Sequence, residues 1–323
     1  MLKIFVYLVA ALLVLLIASA AAAWALWRAP DRPAAELEAK YLQAQDHFAE
    51  LPGGLRLHYR DQGNQGGPDQ PTLLLLHGYG DSYATWEGWA TALQARYRVI
   101  SLDLPGHGLS AAPEGYLLDS DALARVVADF ATQLQLPPVV LAGNSMGGGV
   151  AWKVALAAPE KLRALVLVAA AGWPANTQGQ SPSLAFRVLQ HPLGRWVLAR
   201  IDNKPLIAQG LRSQVYDKSL ITEALVERWA DYQLYPGHRP ILMSVAPGSH
   251  SQASAEKLAT IKLPTLVLHG EVDPLIPVEN GRKFAAAIAG AKLITYPNVG
   301  HLPQREIPGQ SAADLSAFLA TLP

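Results

Sequence analysis

The chain has 323 residues, a formal net charge of zero, no cysteine, and 50% hydrophobic against 16% charged residues. A neutral balance offers no basic face for nucleic acid, and the absence of Cys excludes disulfides, thiolate nucleophiles, iron–sulfur clusters and Cys-ligated zinc. The length suits one large α/β domain carrying an insertion, or two small domains.

The first predicted element is a long apolar helix. Ile4 to Trp27 contains no charged residue, about 36 Å as a helix and long enough to cross a bilayer with some tilt. Lys3 precedes it, Arg28 and Arg32 follow it, and Trp24 and Trp27 sit where interfacial aromatics would. Residues 1–28 therefore read as a single N-terminal membrane span. The short head before the span resembles an export signal and puts the catalytic domain on the external or periplasmic side. A cleaved signal peptide ending at Ala18-Ser19-Ala20, and so a secreted protein, is the alternative.

Residues 29–47 read as a polar spacer or surface helix. His47–Glu50 and Leu55–Arg60, parted by Pro52-Gly53-Gly54, form a hairpin pattern. Thr72–His77 is a continuous apolar run, expected of a strand buried on both faces. Val139–Ala142, ahead of a sharp turn, and Leu165–Ala169 read as further buried strands, and Arg98–Asp103, Thr265–Gly270 and Lys292–Tyr296 read as strands. Asp119–Leu136 has helical apolar spacing with Asp119 or Ser120 as its cap, and a last helix covers about Ser311–Leu319. Between residues 173 and 250 the strand pattern lapses into helical, aromatic-rich sequence, which reads as a helical cap. The core is then split into 48–172 and 251–323.

The chemistry centres on Gly143-Asn144-Ser145-Met146-Gly147. A hydroxyl lifted on a tight strand-to-helix turn needs neighbours without Cβ atoms, and the helix that follows aims its N-terminus at the reacting group. Ser145, Asp273 and His301 each sit just past the C-terminal end of a predicted parallel strand, the edge at which open α/β sheets bind ligands. Serine needs a base, so His301 takes its proton, and Asp273 fixes the imidazole tautomer. Glu271, two residues before Asp273, is the rival acid. A tetrahedral oxyanion needs two aimed backbone N–H groups; those of Met146 and of Tyr79 in His77-Gly78-Tyr79-Gly80 are the candidates. His77, Asp103, His107 and His269 read as structural groups that order loops and strand ends. The nine histidines show no His-x-x-x-His spacing, no phosphate-binding loop appears, and neither metal nor cofactor is expected.

From about residue 48 to its end the chain resembles the α/β-hydrolase superfamily. The matching stretches are His77–Gly80, Asp103–Gly108, Gly143–Gly148, Gly270–Asp273 and Gly300-His301, with the nucleophile, acid and base in the order Ser, Asp, His. The resemblance implies an α/β-hydrolase fold, a mostly parallel twisted sheet flanked by helices, with a helical cap and an N-terminal transmembrane helix here. Membrane-anchored monoacylglycerol lipases are similar in carrying one N-terminal span before such a core. Meta-cleavage-product C–C hydrolases are similar around Gly143–Gly148 and Tyr216–Glu223, but here Gly80-Asp81-Ser82 stands where that group has Pro-Gly, and Leu302 follows His301 where it has Trp.

The expected activity is hydrolysis of carboxylic esters, acylglycerols or other hydrophobic acyl esters, through an acyl-enzyme. The partners are a lipid or hydrophobic ester substrate and, through the N-terminal helix, a membrane. C–C hydrolysis is the alternative and calls for a basic side chain facing a carboxylate, for which Arg187 and Arg212 are candidates. A non-catalytic binding protein on a hydrolase scaffold is disfavoured because no triad member is missing.

Overall fold

A computed structural model describes residues 2–63, 70–174, 191–244 and 252–322. Among these, eight strands form one sheet: β1 (Asp46–Leu51), β2 (Leu55–Gly63), β3 (Thr72–Leu76), β4 (Arg98–Leu102), β5 (Val139–Asn144), β6 (Leu162–Val168), β7 (Thr265–Gly270) and β8 (Lys292–Tyr296). Their order is β1-β2-β4-β3-β5-β6-β7-β8. β2 runs antiparallel to β1 and β4, and every other pairing is parallel. The expected hairpin closes with Leu51 opposite Leu55, and Gly53 and Gly54 take the positive φ that its turn needs.

The apolar strand runs have a direct cause. In β3 all five residues are buried. Leu74 and Leu76 pack into one core with Ile100, Leu141 and Leu167, while Leu73 and Leu75 pack into the other with Val140, Val166 and Leu268. Successive side chains face opposite sides of a sheet covered on both. Each such leucine stabilises the fold by about 2 kcal/mol of burial.

Thirteen α-helices are described. α1 (Leu2–Trp27) stands outside both cores with no buried residue. α2 (Ala34–Tyr41) precedes the sheet. α3 (Glu87–Leu93), α4 (Ser120–Gln133) and α5 (Met146–Ala157) follow β3, β4 and β5. Asp119 caps α4, its Oδ1 accepting the Ala122 N–H at 2.7 Å, which settles the start of that helix. Between β6 and β7 lie α6 (Pro192–Leu198), α7 (Lys204–Gln214), α8 (Glu223–Gln233), α9 (His238–Leu242) and α10 (Ala255–Leu258), with no strand among the described residues there. α11 (Val278–Ala287), α12 (Pro303–Glu306) and α13 (Pro308–Leu319) complete the chain.

The stretch 29–47 is more than a spacer. Asp46 already belongs to β1, and Leu37 of α2 is fully buried beside Tyr83, Tyr232 and Tyr235. Asp231 of α8 accepts hydrogen bonds from Arg32 at 2.6 Å, Lys40 at 2.8 Å and Tyr41 at 2.7 Å. Glu38 joins Arg56 of β2 at 2.7 Å and the Tyr235 hydroxyl at 2.8 Å. These charges look solvated in sequence; in the fold they strap the β6–β7 insertion to the sheet.

Candidate active site

The turn after β5 is built by close approach. Ser145 has φ 54° and ψ −116°, a conformation costly for a residue with a Cβ. Its N–H donates to Val168 O at 3.0 Å, and its carbonyl accepts from Gly149 at 3.0 Å and Ala171 at 2.9 Å, so the surroundings fix the strain. A Cβ on Gly147 would lie 2.3 Å from Leu76 O, and one on Gly143 2.2 Å from Gly147 O. Neither position admits a side chain while α5 sits this close to β3 and β5.

Two loops complete the site. His301 Nδ1 lies 2.7 Å from Asp273 Oδ2. A carboxylate accepts only, so Nδ1 carries the proton and Nε2 is left to accept one. Asp273 Oδ1 takes the N–H groups of Leu275 at 2.8 Å and Ile276 at 3.0 Å. Burial alone would raise the Asp273 carboxyl. The hydrogen bonds from His269 and His301, with those of the backbone, outweigh it and hold the acid well below the usual carboxylate range. Glu271 accepts instead from the Thr295 hydroxyl at 2.7 Å, so the structure puts Asp273, not its rival, on His301.

The other glycine loop approaches Ser145 directly. A Cβ on Gly78 would stand 3.2 Å from Ser145 Cβ. Gly78 O accepts the Asp81 N–H at 3.2 Å with Gly80 at φ 71°, a four-residue turn that needs glycine third. Tyr79 is therefore held next to the serine, with its hydroxyl donating to Leu242 O at 2.7 Å. Met146 is the first residue of α5, so its N–H has no acceptor within the helix.

His58, His77, His107, His269 and Asp103 are bound into the scaffold. His77 Nδ1 donates to Gly78 O at 2.7 Å, and its Nε2 accepts the Leu104 N–H at 3.0 Å. His269 Nε2 donates to Ile276 O at 2.8 Å. His107 Nδ1 donates to Pro105 O at 3.0 Å, and burial holds its pKa well below the ordinary value. Asp103 accepts from Tyr83 N at 2.6 Å, Leu109 N at 3.0 Å and His58 Nδ1 at 2.7 Å. Burial disfavours the charged His58 ring, but Asp103 and Asp46 outweigh it and push its pKa up to about 9.

Three supporting groups escape sequence reasoning. Asn144 Nδ2 donates to Val168 O at 3.2 Å and His301 O at 3.1 Å, tying the serine turn to the histidine loop. Gln214 O, at the end of α7, accepts the His301 N–H at 2.8 Å. The Glu306 carboxylate accepts from Gly300 N at 2.9 Å, Leu302 N at 3.2 Å and Tyr216 N at 2.7 Å, so it grips both flanks of His301 together with the insertion. Adjacency to Ser145 was the available signal for Asn144; a lone Glu on a short helix gives none. Of the two candidate carboxylate binders, Arg187 lies outside the described residues. Arg212 lines a surface hollow with Pro205, Gln209, Ser213 and Lys218.

A mostly parallel sheet with a strained serine turn, an Asp–His pair and a glycine loop meeting at the strand ends defines a hydrolase scaffold. The chain belongs to the α/β-hydrolase fold family, whose profile matches residues 71–306. Its relatives include 2-hydroxy-6-oxo-6-phenylhexa-2,4-dienoate hydrolase of Burkholderia cepacia, 30% identical over 78% of this chain and 86% of that protein. Pimeloyl-[acyl-carrier protein] methyl ester esterase of Nitrosomonas europaea is 29% identical over 81% and 99%. Among solved structures, a membrane phospholipase A superposes with a TM-score of 0.70 at 24% identity, covering 98% of both chains.

Proposed function

We propose that the protein is a membrane-anchored serine esterase that cleaves hydrophobic acyl esters. The observation that carries this reading is the 2.7 Å His301–Asp273 bond on the loop tied through Asn144 to the strained Ser145 turn. In the reaction His301 Nε2 takes the Ser145 proton as Oγ attacks the ester carbonyl. The oxyanion is met by the N–H groups of Met146 and Tyr79. Collapse expels the alcohol, which leaves with the proton from His301, and Ser145 keeps the acyl group. Water then repeats the sequence and frees the acid. No step needs a metal or cofactor.

Three observations support a lipid-like ester. α1 has the length and apolarity of a membrane span and none of it is buried, and a signal sequence has the same features. An anchored domain works beside acylglycerols. The likeness to a membrane phospholipase A extends over 98% of this chain, α1 included, and an esterase stands among the sequence relatives. We place the catalytic domain on the external face of the membrane that α1 would cross. The C–C hydrolase reading is the second, supported by the Burkholderia cepacia relative.

The test is hydrolysis of p-nitrophenyl esters of rising acyl length and of 1-monoacylglycerol by the full chain in detergent, beside Ser145→Ala. Ester turnover lost in Ser145→Ala is expected. Decay of a dienoate chromophore without any ester turnover would replace the esterase by the C–C hydrolase.

A further inference from the structure

We propose that α6 and the first turn of α7 form a ridge that lies in the headgroup layer of the bilayer that holds α1. The inference rests on reading α1 as an anchor and adds a second membrane contact, made by the insertion next to the catalytic loop.

The ridge is an apolar surface without a cover. α6 reads Pro-Leu-Gly-Arg-Trp-Val-Leu, and none of its residues is buried. Leu193 is 62% exposed, Trp196 47%, and Leu206 in the first turn of α7 51%. A helix that rich in large side chains ordinarily turns one face to a core, yet Leu193 and Trp196 of α6 and Leu206 of the next helix stay exposed.

Its occupant follows from its neighbour. The Trp24 and Trp196 rings stack with centroids 5.3 Å apart and planes 11° from parallel. Arg28 pairs with Ile201 as an antiparallel bridge. Ala29 N–H donates to Arg200 O, and Asp202 N–H to Trp27 O, each at 2.9 Å. The end of α1 and the end of α6 are thus one body and share one depth. α1 is about 39 Å long against a hydrocarbon core of about 30 Å. With Lys3 among the far headgroups, the near boundary falls at about residue 23, next to Trp24. Trp196 stands at that boundary whenever Trp24 does.

Charge agrees with the placement. Arg28 ends the span, and Arg200 lies over the Trp196 ring at 4.6 Å from its centroid. Apolar and aromatic side chains with cations beside them suit an interface bearing anionic lipid. α7 then runs from the ridge to Gln214, about 16 Å along its axis, where the His301 N–H is bound. Substrate would reach the site from the bilayer side of the insertion.

The absence of native cysteine allows a direct test with single labels. Full-length Leu13→Cys, Leu193→Cys, Leu206→Cys and Leu117→Cys, each carrying an environment-sensitive fluorophore, are placed in vesicles of phosphatidylcholine with a minority of phosphatidylglycerol. The quenchers are lipids with a nitroxide near the top or deep in the acyl chain. The labels at 193 and 206 are expected to lose about half their emission to the shallow quencher, the label at 13 to respond to the deep one, and the label at 117 to neither. In parallel, Leu193→Asp/Leu206→Asp should lose about tenfold in turnover of vesicle-borne substrate and keep its rate on a water-soluble ester.

Quenching at 13 without quenching at 193 and 206 would overturn the ridge and leave the anchor standing. Loss of quenching at 13 would remove the anchor, and the ridge with it. A shielded but unquenched label at 193, together with disulfide cross-linking between copies of unlabelled Leu193→Cys, would overturn the ridge and assign this face to a second copy of the chain.

Discussion

Glu306→Gln tests whether the histidine loop is held by the carboxylate beneath it. In the wild type, Oε1 accepts Gly300 N–H at 2.9 Å and Leu302 N–H at 3.2 Å, and Oε2 accepts Tyr216 N–H at 2.7 Å. Glutamine keeps the shape but converts one oxygen to NH2. Whichever way the amide turns, at least one backbone N–H then faces a donor. The loss combines a charge-assisted bond, about 1.5–3 kcal/mol, with an unpaired N–H, so about 2–4 kcal/mol of stability is at stake. His301 lies between the two anchored residues, and a displacement of its ring by a fraction of an ångström lowers turnover about ten- to a hundredfold. The measurements are thermal unfolding and kcat with KM on a p-nitrophenyl ester. The expected pattern is a lower midpoint, a lower kcat and a KM within about twofold of wild type. Wild-type kcat and an unchanged midpoint would refute the clamp. A lower midpoint with normal kcat would make Glu306 a tie for the insertion alone.

Asp273→Asn should lower kcat by about 10⁴-fold while the chain stays folded, because the amide no longer selects the tautomer with Nδ1 protonated; turnover within tenfold of wild type would remove Asp273 from the reaction. Ser145→Gly and Ser145→Ala should both be inactive, but the glycine variant should unfold at the higher midpoint by about 1 kcal/mol, since only glycine relieves φ 54° at that turn; equal midpoints would deny the strain. His58 should make stability fall on the alkaline side. Its folded pKa of about 9 lies above the ordinary 6.5, so its contribution is complete below about 6.5 and is lost as pH rises through 9, about 3 kcal/mol in all. A flat unfolding midpoint from neutral pH to about 10 would contradict the charged ring.

The middle of the sheet was legible because its strands are buried on both faces, and a run such as Leu73–Leu76 has no other comfortable place. The Ser145 turn was legible because close backbone approach at Gly143 and Gly147 leaves glycine as the residue that fits. Asp273 and His301 were legible by position at strand ends; the 2.7 Å contact adds which acid meets the ring. The polar joints were not. Asp46, His58 and Asp103 come from three strands or strand ends and meet only in the fold. Arg32 and Lys40 lie 199 and 191 positions from Asp231. Burial periodicity is a local record, whereas a buried ion pair is recorded nowhere until the chain is folded. The stretch 29–47 suffered most from this, since its charges gave no sign of the carboxylate waiting in α8.

The strap also decides where mechanical load goes. On the proposed anchoring, a tug on the N-terminal helix enters the insertion first, through the Trp24–Trp196 stack and the Ala29–Arg200 bond, and then reaches Arg32, Glu38 and Lys40 before the first strand. Those side chains are fastened to Asp231 and Arg56, and Arg239 is fastened to Asp31. Force is thus shunted sideways into α8 and α9 and the second strand. The strand that carries Ser145 takes none of these fastenings, whereas the insertion that does take them also holds the His301 N–H through Gln214 O, so the histidine side of the site is the one that would feel the load.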